Sequence, residues 1–239
     1  DNAEYEILKT PLPPDDPLNF VDTKKYTERL AAARKLTKQD DATMIASGKL
    51  KGINVTVGAQ NFSFIGGSVG SASGEAFIAG VQNAIDNQTP FIFFCSSGGI
   101  RMMESAISLQ QMPRVVVAVN ELKKNNLPYI VILTNPSYGG VTASIGMLGD
   151  IQIAEPKSQI GFAGKRVIEQ TIGETLPEKF QTAEYIKDHG GIDLVISRKD
   201  LRDTIGTLIT ILLKKNKVIS IEASNENQED PRQIASTAS

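Results

Sequence analysis

Two Gly-Gly pairs are the feature of this sequence that points most directly to chemistry. Gly98-Gly99 follow the apolar run from Phe91 to Cys95 through Ser96-Ser97, and Gly139-Gly140 follow Tyr129 to Leu133 through residues 134–138. Each run reads as a buried strand, and each pair as the turn from that strand into a helix. Glycine has no Cβ to block a ligand, and a helix start leaves backbone N–H groups without an intrahelical partner. Two such turns side by side would form a pocket for a developing oxyanion, made of backbone donors rather than side chains. Acyl-thioester chemistry needs that kind of pocket.

Gly66-Gly67-Ser68-Val69-Gly70 matches the G-x-S-x-G nucleophile elbow, and a strand-like run precedes it. The elbow needs a histidine, and the sequence offers only His189, in Lys187-Asp188-His189-Gly190-Gly191. That position falls where a helix is predicted to end, a place where histidine commonly meets the last carbonyls. The segment therefore reads better as a ligand-binding loop than as a hydrolase nucleophile. Arg101, just past Gly99, either reaches a phosphate or carboxylate on a ligand or fills a packing role. Glu104 is the carboxylate placed near a glycine turn, and an acid early in a helix complements the helix dipole. Residues 161–165 lack the spacing of a phosphate-binding loop. With one histidine, one cysteine and no suitably spaced carboxylate cluster, no metal site is expected.

The elements that must hold these residues follow from the hydrophobic pattern. At 239 residues and 41% hydrophobic, the chain is long enough for one substantial core. A net charge of −2 and a pI near 5.6 argue against a general nucleic-acid binder. No apolar run is long enough to span a bilayer. Cys95 sits in a strand-like run, as a buried structural thiol would, and a cytoplasmic location fits. Residue 1 is Asp, which fits a processed chain or an excised piece of a longer one.

Residues 1–22, with Pro11, Pro13, Pro14 and Pro17, read as an extended arm. Residues 23–38 are expected to form a helix with Tyr26, Leu30, Ala33 and, toward its end, Leu36 on one face, and 42–49, 53–57 and 61–65 an antiparallel meander. A helix over 75–87 follows the first glycine loop. Strands are then expected at 91–95, 129–133, 151–154, 159–162 and 194–196. Helices are expected at 102–125 (bent at Pro113), 141–148, 167–171, 178–188 and 199–215. This alternation implies crossover units and largely parallel pairing. Leu208, Ile209, Ile211 and Leu212 on the last helix either join the core or offer a contact surface. Residues 223–239 are polar and read as a disordered tail.

Ser97-Gly98-Gly99-Ile100-Arg101-Met102 and Gly139-Gly140-Val141-Thr142-Ala143-Ser144 belong to a longer series of blocks: 64–71, 97–102, 127–129, 139–144, 149–156, 160–164 and 166–171. In that order they resemble the carboxyltransferase beta subunits of bacterial acetyl-CoA carboxylase, within the crotonase superfamily. The resemblance implies an α/β, crotonase-type (ClpP/crotonase) fold of stacked ββα units, with residues 23–222 as the carboxyltransferase domain. It implies transfer of a carboxyl group from carboxybiotin, held on a biotin carboxyl carrier protein, to acetyl-CoA. The product is malonyl-CoA, in the first committed step of fatty acid synthesis. A homologous alpha subunit and an alpha2beta2 hetero-tetramer are implied as well.

By the same resemblance, Gly98, Gly99, Gly139 and Gly140 stabilise the thioester oxyanion, while Gly66, Gly67, Ser68, Gly70 and Arg101 belong to the CoA surface. The biotin anion serves as base, which agrees with the scarcity of histidine and of paired carboxylates. The family's four-cysteine zinc ribbon has no counterpart ahead of the arm, so no metal is expected within these residues. Lys165 and Ile100 stand where the family more usually has proline and alanine. A crotonase-type hydratase or isomerase, a serine hydrolase and a non-catalytic acyl-CoA-binding subunit are the competing readings.

Overall fold

A computed structural model describes residues 1–214. The tail expected at 223–239 lies outside the described residues, as do residues 215–222 at the end of the expected domain. One sheet of seven strands runs in sequence order: β1 (Tyr5–Ile7), β2 (Thr43–Leu50), β3 (Ile53–Gln60), β4 (Phe91–Ser97), β5 (Tyr129–Ser137), β6 (Ile151–Ala154) and β7 (Leu194–Val195). β1 to β3 pair antiparallel and β3 to β7 parallel, joined by helical crossovers.

The apolar runs in β4 and β5 show no alternation because both faces of these strands are covered. Phe91, Phe93, Cys95, Tyr129, Val131 and Leu133 pack against α2 (Ser71–Asp86) and α4 (Gln111–Lys124). Ile92, Ile130 and Ile132 point to the other face, under Leu201, Ile205 and Ile209 of α8 (Arg198–Leu212). Phe77 of α2 meets Phe91 and Phe93 edge-on, at 5.2 and 5.0 Å between ring centroids. On α8 itself, Ile209 is fully buried and Ile211 is exposed, so the apolar residues of that helix divide between core and surface.

The structure departs from the sequence expectations at identifiable points. The arm is not wholly irregular: Tyr5–Ile7 adds an exposed edge strand to β2. Residues 61–65 are not a strand; they turn, and Phe64 drops into a small cluster with Tyr26 and Leu30 of α1 (Tyr26–Thr37). The 102–125 helix breaks before Pro113, at Ser105 (φ +48°), into a 3-10 turn, α3 (Ser105–Leu109) and α4. Pro113 lies in the first turn of α4, where its missing N–H costs no helical bond. Residues 159–162 make only isolated bridges, Ser137 to Ile160 and Gln159 to Thr182. The helix expected at 178–188 shortens to α7 (Ala183–Asp188), because Thr182 caps it by accepting from the Tyr185 N–H.

Cys95 is fully buried between α2 and α4, and burial pushes its thiol well above the usual range. A thiol-specific reagent should therefore leave the native protein unmodified at neutral pH and label one cysteine on unfolding. Fast labelling of the native protein would contradict this placement.

Candidate active site

β4 and β5 are parallel neighbours, with Ser97 opposite Ser137, so both chains leave the sheet at the same edge. That edge, at the carboxyl ends of parallel strands, is where open α/β sheets place ligands. The Tyr138 N–H donates to the Ser97 carbonyl (2.9 Å), tying the two exits together. The glycine pairs then meet. A Cβ on Gly139 would lie 3.2 Å from Gly99 Cα, and one on Gly99 would lie 3.6 Å from the Tyr138 carbonyl oxygen. Gly99 (φ +129°) and Gly139 (φ +67°) both occupy backbone conformations that glycine adopts without strain.

The fate of each N–H narrows the choice of free donors. Gly98 donates to the Gly66 carbonyl (2.9 Å), Gly99 to Ser97 Oγ (3.0 Å) and Gly139 to the Phe162 carbonyl (2.9 Å). These three donors, expected to be free, are engaged in holding the turns. Ile100 and Gly140 have no N–H acceptor among the described residues. Gly140 stands at the start of α5 (Gly139–Val141), which continues as a π turn over Thr142–Gly146. The two residues also touch: a Cβ on Gly140 would lie 2.5 Å from Ile100 Cγ1 and 2.8 Å from Met112 Sδ. In the sequence, Ile100 stands out only as a departure from the residue more usual in the family it resembles. Counting donors one residue past the glycine pair would have found it.

The Gly66–Gly70 loop leans on the first turn. A Cβ on Gly67 would overlap the Ser96 carbonyl oxygen. Val69 bridges the turn, its N–H donating to the Gly99 carbonyl and its carbonyl accepting from Arg101 N–H, each at 2.9 Å. Gly66 and Ser68 remain partly exposed, whereas Gly67 and Gly70 are buried.

Arg101 does not face a ligand, which corrects the sequence expectation. Its guanidinium is fully buried, forks onto Asp41 (Nη1–Oδ2 2.6 Å, Nη2–Oδ1 2.8 Å) and donates to the Ser68 carbonyl (2.7 Å). Nε reaches Ser68 Oγ at 3.2 Å. Burial works against the cation, but the bonds and field of Asp41 outweigh it and hold Arg101 above its ordinary pKa. Glu104 also departs from expectation. Instead of serving its own helix, it accepts from the Ser71 N–H (2.6 Å) at the start of α2 and from Tyr26 Oη (2.6 Å). Burial, more than any neighbour, pushes the Tyr26 hydroxyl up, so it stays protonated and donates. A Cβ on Gly70 would collide with Glu104 Oε1.

The nucleophile-elbow geometry is absent. Ser68 Oγ donates to the Ile65 carbonyl (2.8 Å), while His189 is exposed, its Nδ1 2.8 Å from the Tyr185 carbonyl and its ring stacked on Tyr185. No cluster of three or more histidines, cysteines or carboxylates among the described residues is placed to hold a metal.

Residues 16–232 match the family model described as the carboxyl transferase domain. A relative from Pelagibacter ubique, the acetyl-coenzyme A carboxylase carboxyl transferase subunit beta, is 54% identical over 98% of this chain and 76% of its own. The subunit of the same name from Bradyrhizobium diazoefficiens is 49% identical over 100% of this chain and 76% of its own. The chain belongs to this family of carboxyltransferase beta subunits. Among solved structures, a transcarboxylase 12S with methylmalonyl-coenzyme A bound superposes with a TM-score of 0.64 at 27% identity, covering 71% of this chain and 33% of that one. A Pseudomonas malonate decarboxylase MdcD-MdcE hetero-dimer gives 0.64 at 23% identity, covering 72% and 78%. The family's crotonase-type fold is therefore the fold of this chain.

Because a valine at Gly140 would collide with Ile100 and Met112, Gly140→Val should cut carboxyl transfer about 10²–10³-fold, the loss typical of one oxyanion donor. Steady-state kinetics on folded variant checks this. His189→Gln should stay within about tenfold of wild type, since loss of a triad base costs far more. Labelling of Ser68 by a serine-directed phosphonate would contradict the geometry.

Proposed function

We propose that this chain forms the acetyl-CoA side of a biotin-dependent carboxyltransferase, with the N–H groups of Ile100 and Gly140 as donors to the thioester oxygen. The observation that carries this reading is the pair of unengaged donors on two turns in contact, in a member of the carboxyltransferase beta-subunit family. As the acetyl α-proton leaves, negative charge collects on the thioester oxygen, and donors already in place stabilise it without reorganising. Held by their neighbours, the turns need no rearrangement at that moment. Carboxybiotin supplies both the carboxyl group and, once decarboxylated, the base.

The residues present fit that division of labour. Glu104 is buried and bonded to Ser71 and Tyr26, and His189 is bonded to Tyr185, so neither is poised over the turns. A hydratase or isomerase would need a carboxylate free at that point. Gly66 and Ser68, on the partly exposed rim of the first loop, remain our candidates for contact with CoA. Gly98, Gly99 and Gly139 spend their N–H groups on holding the turns rather than on the substrate.

A beta subunit works beside another subunit, which we take to be the carboxyltransferase alpha subunit. The biotin carboxyl carrier protein and an alpha2beta2 assembly in the cytoplasm complete the proposal. The surface next to the site supports it. α6 (Lys165–Ile172) has no buried residue, and Val167 and Ile172 on it are exposed. Phe162, whose carbonyl accepts from Gly139, is exposed too. A subunit seated there would cover this apolar surface and close the pocket to water, protecting reactive intermediates from side reactions.

Mixing the purified chain with an alpha subunit and a carboxylated biotin substrate, then following malonyl-CoA, tests the proposal. Turnover should appear only in the mixture, alongside a larger complex on gel filtration. Full turnover by this chain alone, or thioester turnover without biotin, would refute it.

A further inference from the structure

From the buried cluster beneath the turns, we infer that Arg101 is the positioning residue of the oxyanion pocket, fixing the Ile100 donor by clamping the first glycine loop against β2. The inference rests on the proposed role of Ile100 and Gly140 as donors.

Three observations support it. Arg101 directly follows Ile100, and its own N–H donates to the Val69 carbonyl, so its backbone is set at the point where the free donor lies. Its side chain reaches structures distant in sequence. One guanidinium holds the Ser68 carbonyl and hydroxyl on the loop and the Asp41 carboxylate ahead of β2. Asp41 is itself fixed by Ala42 N–H (2.7 Å) and Ser73 Oγ (2.5 Å), the latter on α2. Nη1 also meets Tyr26 Oη (3.1 Å) on α1, and Tyr26 passes the connection to Glu104, which binds the first N–H of α2.

Every charged group of the cluster is thus satisfied inside it, and none is left to bind a ligand. The guanidinium is needed for its shape: a planar fork satisfies a carboxylate and a carbonyl together, whereas a lysine ammonium is a point charge. Fixing a donor within a fraction of an ångström matters because a misplacement of about 1 Å costs about 100-fold in rate.

The test uses the reconstituted complex of this chain with its alpha subunit. Arg101→Lys should lower kcat about 100-fold with KM for acetyl-CoA unchanged, both expressed per folded protein, as for a misplaced transition-state donor. Amide exchange in the 98–101 turn should speed up while β4 and β5 stay protected. A merely structural role would reduce the folded fraction but leave kcat per folded site intact, and that result would overturn the inference. So would a change confined to KM. If Arg101→Lys does not fold, Asp41→Asn, which keeps the shape of the side chain but weakens the fork that anchors Arg101, should still lower kcat at constant KM, and wild-type kcat there would overturn the inference. Gly140→Val separates the two levels. If it is inactive while folded Arg101→Lys is normal, only this inference fails; if it too is fully active, the oxyanion reading beneath it fails.

Discussion

The contact between Gly99 and Gly139 is the constraint on which the site depends. β4 and β5 pair in parallel from Phe91–Tyr129 to Cys95–Leu133 and, past a register shift, again at Ser97–Ser137. This pairing delivers two backbone turns to one spot, where a Cβ on Gly139 would press against Gly99 Cα at 3.2 Å and both glycines have positive φ. Strand register therefore sets the distance between donors, and the sheet, buried on both faces, keeps that register. Much of the large apolar core bears on this single geometric result. Slipping β4 against β5 by one residue would turn Phe91, Phe93 and Cys95 away from α2 and α4, so the register is strongly specified.

Holding the turns is work for polar groups. The N–H groups of Gly98 and Gly139 are engaged with neighbouring segments and that of Gly99 with Ser97 in its own turn, and the Arg101 cluster locks the loop that supports the first turn. Buried charges are a costly way to gain stability, because desolvation offsets most of the attraction, and removing one partner costs about 3–5 kcal/mol. An apolar cluster would hold the same volume more cheaply. What the Arg101–Asp41 fork adds is direction, since a planar guanidinium accepts only one arrangement of carbonyl and carboxylate around it. Oxyanion stabilisation needs that directional precision more than it needs stability.

The parallel sheet and the glycine turns could be read from the sequence because local signals carry them: apolar runs closed by paired glycines, repeated between helical stretches. Phe91 to Cys95 and Tyr129 to Leu133 need no tertiary information to be recognised as buried strands. Other features depend on contacts distant in sequence. Tyr5–Ile7 becomes a strand only because β2 offers a free edge. Residues 61–65 carry strand-forming side chains, yet Phe64 finds a better place beside Tyr26 and Leu30 than a ladder would give it. Arg101 follows a glycine turn and so resembles a ligand contact, but Asp41, sixty positions earlier, turns it inward. The proposed oxyanion pocket is suggested in outline by the glycine pairs, while the N–H left without an acceptor past the first pair is that of Ile100 rather than Gly99. The sequence shows where a turn lies, and only the hydrogen bonds show which of its donors are spent.

The most direct measurement is a structure of the reconstituted complex with a CoA ligand whose acetyl thioester is replaced by an enolate mimic. The account predicts the mimic's oxygen about 2.7–3.1 Å from both the Ile100 and Gly140 nitrogens, the spacing an oxyanion hole requires. An oxygen bound by a side chain, or lying away from both nitrogens, would contradict it.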